Sequence, residues 1–184
     1  IQGFQFGSSP FGKPKMYVYS YFIDGLLIDT GHSNARKMIL SHLTKLPVEQ
    51  LFITHHNEDH NGNLKALQKH FKVTAYAYTK CADIMTNTPK FSFRQWLTWG
   101  NTYANQNIIP LDKEISTNKY TFQLSPMPVH ARDMVALFEP NEGCLFSADL
   151  YIYDYIKFCL RAESIAQQIS SLKTALALDF EVLF

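Results

Sequence analysis

Three histidines and two acidic residues occupy six consecutive positions of the chain, from 55 to 60. Imidazole and carboxylate are the ligand types that zinc prefers, and they also bind iron and manganese. The apolar run Leu51, Phe52 and Ile53 precedes this cluster and is typical of a buried strand. So dense a cluster at the end of a strand indicates a metal site; the alternative interpretation is a His-rich polar loop on the surface.

Two further candidate ligands lie downstream, each after a predicted strand. His130 follows a strand predicted over 120–124, and Asp149 follows a strand predicted to end at Phe146. In folds that combine a sheet with helices, ligands collect at the edge where strands end, so several strand exits can converge on one point. The sequence therefore predicts a site for one or two divalent cations.

The elements that must position these groups alternate between strands and helices. Asp24-Gly25 predicts a two-residue hairpin turn between strands over 16–23 and 26–28. Apolar residues then recur at helical spacing up to Leu43, and Ser33 or Asn34 is predicted to cap that helix.

Further strands and one more helix are predicted downstream. Small residues alternate with larger ones over 73–78, which predicts a strand with one buried face, and 134–138 and 144–146 predict a hairpin. An amphipathic helix after Glu163 is predicted to bury a stripe of four apolar residues. The stripe consists of Ile165, Ile169, Leu172 and Leu176.

The segment 79–107 is crowded with aromatic residues, among them Trp96 and Trp99. Such a segment can line a substrate pocket, and we predict that both tryptophans bind substrate. The equally weighted alternative is a helix that packs on the sheet.

Length and composition predict one domain over 1–184, with hydrophobic residues at 46% and charged residues at 18%. The net charge of +1, without a basic stripe, argues against nucleic acid as a partner. No apolar run approaches the ~20 residues of a membrane span. A small-molecule substrate is the expected partner, and the composition does not specify an oligomeric state.

The three cysteines have no ligand-like spacing, which favours buried free thiols and a cytoplasmic, reducing compartment. We expect both ends to be cut, because the chain starts at Ile1 rather than Met and stops at Phe184 within a predicted strand. A leader removed before Ile1 is compatible with this start.

The segment 54–63 resembles the T-H-x-H-x-D-H-x-G motif of the metallo-β-lactamase superfamily. Three supporting features occur in the expected order, and the resemblance extends over about residues 16 to 184. They are Ile28-Asp29-Thr30-Gly31, Pro128-Val129-His130 and Phe146-Ser147-Ala148-Asp149. The resemblance implies an α/β fold, a four-layer αββα sandwich whose C-terminal part is cut, and a hydrolytic site with zinc, iron or manganese.

The resemblance also implies a role for each matching residue. His55 and His130 would bind the first metal, Asp59 and His60 the second, and Asp149 would bridge the two. Asp59 would also orient the nucleophile, as the catalytic residue.

Two positions depart from the family pattern. Asn57 stands where the family has its second histidine, so the first metal would have a neutral, weaker donor there. The last metal-binding histidine of the family would lie beyond Phe184.

The resemblance favours a metal-dependent hydrolase of an ester, thioester, lactone or amide carbonyl. Tyr151 lies near the position where lactonases of this fold carry a tyrosine, so it is a third candidate for substrate binding. The alternative is a catalytically degenerate binding protein in which the Asn57 change leaves the site empty or with a single metal. A redox role like that of flavodiiron proteins is a third hypothesis, and those relatives carry a glutamate at this position.

Overall fold

The computed structural model describes residues 1–7, 9, 12–14, 16–87, 92–104, 107–152 and 164–184. The chain divides into two compact units, residues 1–110 and residues 111–184. Each unit is built on one β-sheet, and each has its own apolar core.

The first unit contains a six-stranded sheet with strand order β1-β2-β3-β4-β5-β6. Its strands are β1 (Gln2–Phe6), β2 (Val18–Ile23), β3 (Leu26–Ile28), β4 (Gln50–Ile53), β5 (Thr74–Tyr78) and β6 (Ile108–Leu111). β1, β2 and β3 pair antiparallel, whereas β3, β4 and β5 pair in parallel. Parallel neighbours need crossover connections, which contain α1 (Arg36–Leu43) and α3 (Leu64–Phe71). The carboxyl ends of β3 and β4 therefore lie side by side.

The hairpin predicted at Asp24-Gly25 is confirmed. Both residues have positive φ, 46° and 83°, as a type I′ turn requires. The predicted one-sided burial of the strand β5 is also confirmed, because Ala75 and Ala77 are fully buried while Thr74 is exposed.

Three more helices lie in the described part of the first unit. They are α2 (Glu58–Asn61), α4 (Thr79–Met85) and α5 (Phe93–Trp99). Ser92 caps α5 in a capping box with Gln95, which explains why that helix begins where it does.

The predicted cap of α1 is wrong. Ser33 and Asn34 belong to a short 3-10 helix, Ser33–Ala35, and neither side chain caps α1. Their hydrogen-bond partners lie in α5 and in the segment that follows it. The Ser33 hydroxyl accepts from the Asn101 amide at 2.7 Å, after the end of α5. Asn34 Nδ2 donates to the Leu97 carbonyl at 2.9 Å, within α5. Tertiary partners have replaced the local cap.

The second unit contains a five-stranded sheet with strand order β11-β10-β9-β8-β7. Its strands are β7 (Glu114–Ser116), β8 (Thr121–Pro126), β9 (Val135–Glu139), β10 (Cys144–Phe146) and β11 (Val182–Leu183). The predicted hairpin of β9 and β10 is confirmed, and Gly143 supplies the positive φ of 60° in its turn. The final strand, β11, pairs in parallel with β10.

The helix α6 (Ile165–Leu176) forms where the sequence predicts it, but its buried face differs from the prediction. The buried residues are Ser171 and Ala175, and Leu172 packs partly against the core. Ile165, Ile169 and Leu176 are exposed. The small side chains of Ser171 and Ala175 allow close packing, and Ser171 Oγ donates to the Pro128 carbonyl at 2.8 Å. Hydrophobicity alone therefore identified the wrong face.

Cys81 and Cys144 are buried free thiols, as predicted. Cys159 lies outside the described residues. Among the helices of the described chain, none has the length and hydropathy needed to cross a membrane. The single domain predicted over 1–184 stays a prediction.

Candidate metal centre

A buried carboxylate, Asp29, organises the histidine motif in the first unit. It lies directly after β3, beside the end of β4. Its Oδ1 accepts from the Thr54 amide at 2.9 Å, and its Oδ2 accepts from Thr54 Oγ1 at 2.8 Å and from His60 Nδ1 at 2.7 Å. Asp29 holds this position in a left-handed conformation, with φ of 58°. Asp29 thus lies behind the motif and supports it.

These contacts define the protonation of His60. A carboxylate only accepts hydrogen bonds, so Nδ1 of His60 carries the proton. In the neutral ring Nε2 then presents its lone pair. A histidine whose Nδ1–H is held by a carboxylate has the orientation and basicity of a metal ligand.

The same reasoning applies to His55, which is fully buried. The single hydroxyl proton of Thr54 goes to Asp29, so Thr54 Oγ1 accepts from His55 Nδ1 at 3.2 Å. In its neutral form His55 therefore also presents a lone pair on Nε2. The ring centroids of His55 and His60 are 4.0 Å apart.

Asp59 lies next to His60 in the one-turn helix α2. Its Oδ2 is 3.9 Å from His60 Nε2, and its side chain is mostly buried. Two hydrogen-bond acceptors this close repel each other unless a cation lies near them. The arrangement therefore fits a bound cation.

Asn57 precedes α2 at its N-cap position, and its side chain makes no capping hydrogen bond. Its backbone carbonyl accepts from the amides of His60 and Asn61. The half-buried amide side chain offers a neutral oxygen donor. His56 is half-buried as well, and its carbonyl accepts from Asn61 Nδ2 at 2.5 Å.

Gly62 allows the motif to pack against the loop after β3. A Cβ at this position would lie 2.6 Å from the Ser33 amide nitrogen, 2.7 Å from the Glu58 carbonyl oxygen and 2.9 Å from the Gly31 carbonyl oxygen. These three atoms belong to the backbone and leave no room for a side chain. The close packing is also held by the Thr30 amide, which donates to the His60 carbonyl at 2.7 Å.

The second unit brings together the other two predicted ligands, His130 and Asp149. His130 follows β8, and Asp149 lies in a 3-10 helix, Ala148–Leu150, directly after β10. His130 Nε2 is 3.4 Å from Asp149 Oδ2, and both side chains are about one-fifth exposed. This histidine and carboxylate form a second pair of ligand atoms that suits a divalent cation.

The three predicted substrate-binding residues have different surroundings. Trp99 packs partly against the core of the first unit, and its ring meets that of His32 edge-on at 5.3 Å. Trp96 is about half exposed, as is Tyr151, which directly follows the 3-10 helix of Asp149. Trp99 thus packs inward while Trp96 stays accessible, and substrate binding by Trp96, Trp99 or Tyr151 stays a prediction.

His32, to which the sequence assigns no role, is a buried residue with an unusual environment. Its side chain is fully buried, and neither ring nitrogen has a hydrogen-bond partner within the described chain. Burial lowers the pKa of His32 to about 4. No local pattern predicts this burial, because the residue lies in a loop between Gly31 and Ser33. The other two histidines without an assigned role, His42 and His70, are exposed.

Comparisons with known proteins identify the family of the chain and its fold. The family model described as "Metallo-beta-lactamase superfamily" matches residues 14–184. A comparison with curated proteins gave no significant match.

Three solved structures are among those that resemble the chain. BLEG-1 B3 metallo-β-lactamase is 22% identical, with a TM-score of 0.70, over 96% of this chain and 87% of its own. TTHA1623 in a di-iron-bound form is 21% identical, with a TM-score of 0.70, over 95% and 86%. The metallo-β-lactamase family protein TTHA1429 from Thermus thermophilus is 18% identical, with a TM-score of 0.72, over 99% and 72%. At these identities the likeness establishes the fold, so the predicted mixed α/β fold with two sheets is confirmed.

Proposed function

Because the chain belongs to the metallo-β-lactamase superfamily, we propose that it is a metal-dependent hydrolase of an ester, thioester, lactone or amide carbonyl. The superfamily includes metallo-β-lactamases, and its members bind zinc or iron. The observation that carries the proposal is the pair of acceptor atoms His60 Nε2 and Asp59 Oδ2, 3.9 Å apart, with His60 Nδ1 held by Asp29.

The metal ligands proposed come from both units. In this proposal His55, Asn57, Asp59 and His60 would hold metal in the first unit, and His130 and Asp149 are the proposed metal ligands of the second unit. Bound zinc, iron or manganese would lower the pKa of water to about 7 and polarise the substrate carbonyl. The donor pairs inside each unit support this assignment.

The side chains of the chain itself orient the reactants. Asp59 is the proposed catalytic residue, because a carboxylate acceptor beside the ligand nitrogens can hold the attacking water and take its proton. Asp29 keeps His60 in the tautomer that leaves Nε2 available to a metal.

The proposed substrate is a small molecule with an apolar acyl part. Trp96 and Tyr151 are accessible aromatic side chains that suit such a group, and Trp99 anchors the helix that carries Trp96. Aromatic walls with few polar groups are typical of pockets for small molecules.

The first test is metal content of the purified protein by elemental analysis, followed by assays with ester, thioester and lactone substrates. We expect one or two ions per chain and a hydrolysis rate that Asp59→Asn lowers by about 100-fold or more. Asp83→Asn is the matched control, because Asp83 is an exposed carboxylate on α4. A metal-bearing protein whose activity is equal in both variants would refute the role of Asp59.

A non-catalytic binding protein is the second candidate, and Asn57 is the observation that favours it. A neutral amide at a ligand position binds metal more weakly than imidazole does. Protein that retains no metal and hydrolyses none of the substrates would support this candidate and refute the hydrolase.

A further inference from the structure

A cavity of about 220 Å³ lies inside the first unit, beside the final residues of the histidine motif. Asn61 and Gly62 form one part of its wall, and Thr102 and Tyr103 form another. Thr102 Oγ1 donates to Asn61 Oδ1, which joins the two parts. Among the described residues that line it, none is acidic, whereas Arg36 and Lys65 are cations.

Arg36 is a half-buried cation without a counterion among the described residues. Its Nε donates to Asn63 Oδ1 at 3.0 Å, and its Nη2 donates to the Gly62 carbonyl at 3.0 Å. Both acceptors are neutral, so they fix the guanidinium without balancing its charge. A guanidinium has five N–H donors, and the bonds described leave several of them for a ligand.

Lys65 adds a second positive charge at the exposed side of the cavity. Its Nζ lies 5.9 Å from the centroid of the Tyr103 ring, which attracts the ammonium group. No carboxylate of the described chain pairs with this lysine. Two uncompensated cations around one cavity favour an anionic occupant.

The remaining wall is apolar. Leu64 and Met85, both buried, line the cavity together with Ala66. A ligand that fills the cavity therefore needs an apolar body as well as a charged head.

We propose that this cavity binds a small organic oxyanion, a carboxylate or phosphate group that carries an apolar substituent. The oxyanion pairs with Arg36 and Lys65, and the substituent lies against Leu64 and Met85. This site uses none of the proposed metal ligands, so it is independent of the proposed hydrolase activity.

The test is isothermal titration calorimetry of the purified chain with benzoate, phenyl phosphate, inorganic phosphate and the neutral isostere benzamide. We expect benzoate or phenyl phosphate to bind, inorganic phosphate to bind more weakly, and benzamide to bind at least about 10-fold more weakly than benzoate. The stronger of the two aromatic anions identifies the preferred head group.

Two variants locate the binding. Lys65→Gln removes a charge from the cavity, and we expect it to weaken the binding of the preferred anion about 10-fold. Lys69→Gln removes the same charge from an exposed position of the same helix and should leave binding unchanged. Arg36→Gln also removes a charge from the cavity, and Lys37→Gln, at an exposed position, is its matched control.

Three results would overturn the proposal. They are the absence of binding by both aromatic anions, benzamide binding as tight as benzoate binding, and equal affinities of Lys65→Gln and Lys69→Gln. Because Lys65 is exposed, its variant is expected to fold, and this comparison remains decisive if Arg36→Gln does not fold.

Discussion

At the scale of single residues, Asp29 controls the histidine motif although it is far from it in sequence. The carboxylate accepts three hydrogen bonds from Thr54 and His60. Both of these residues follow the neighbouring strand β4. The identities of the candidate ligands were predictable from the sequence, because histidine and aspartate are the donors that borderline cations prefer. The tautomers of His55 and His60 were not, since they depend on the register of β3 against β4.

We predict that Asp29→Asn lowers metal affinity by about 10- to 100-fold, because the amide cannot accept from Thr54 and His60 together without placing its own donors against them. Loss of these bonds should also lower the free energy of unfolding by about 1–3 kcal/mol. Competition with a chromogenic chelator measures the affinity, and Asp83→Asn is the control. Unchanged affinity in Asp29→Asn would refute the supporting role of Asp29.

We predict that Asn57→His increases metal affinity, because imidazole is a stronger donor than a neutral amide oxygen. The expected gain is about 10-fold or more in chelator competition. Asn87→His, at an exposed position after α4, controls for adventitious binding by the added imidazole. Equal affinities in the two variants would show that position 57 does not bind the metal.

His32 gives a pH dependence of stability. Its folded-state pKa of about 4 lies below the value of 6.5 usual for histidine, so the unfolded chain binds the proton more readily. The free energy of unfolding should therefore fall as the pH drops from about 6.5 towards 4, by about 2 kcal/mol at pH 5. Urea unfolding at pH 7 and pH 5 measures this loss.

The variant His32→Leu should lose less stability between these two pH values than the wild type, while the exposed His70→Leu should behave like the wild type. The comparison cancels the contributions of the remaining histidines. An identical loss in His32→Leu and the wild type would contradict the assignment.

At the scale of elements, the strands β2 to β5, the strands β8 to β10 and the hairpin turns were predictable, because their signals are local, whereas the strand β1 was not predicted. Asp24-Gly25 requires two positive φ values, and alternation identifies the buried face of β5. The cap of α1 and the buried face of α6 were not predictable, because tertiary contacts decide them. Ser33 binds the amide of Asn101 instead of its own helix, and α6 packs through its smallest side chains.

The segment after α5 is tied to the histidine motif by a buried pair, Thr102 and Asn61. Asn61 Nδ2 in turn donates to the carbonyl of His56. We predict that Thr102→Val, which leaves Asn61 Oδ1 buried without this donor, lowers the free energy of unfolding by about 1–3 kcal/mol. Thr102→Ser retains the hydroxyl and should recover most of the loss in urea unfolding. Equal losses would show that the methyl group, rather than the hydrogen bond, stabilises the segment.

At the scale of the whole molecule, the family match spans both units, and we predict that they unfold as one domain. Both tryptophans lie in the first unit, so their fluorescence reports on that unit, whereas far-UV circular dichroism reports on both sheets. Coincident transitions in urea are expected. A second dichroism transition without a fluorescence change would show that the units unfold separately.

The left-handed backbone of Asp29 affects which mutations of its codon the protein tolerates. A single base change turns an aspartate codon into a glycine codon, and glycine adopts the φ of 58° without the cost of about 1–2 kcal/mol that a side chain incurs. The same change deletes the acceptor that orients the motif. It also removes three hydrogen bonds from Thr54 and His60, whose loss costs about 1–3 kcal/mol and offsets the gain in backbone freedom. Stability and the metal centre therefore both disfavour glycine at this codon.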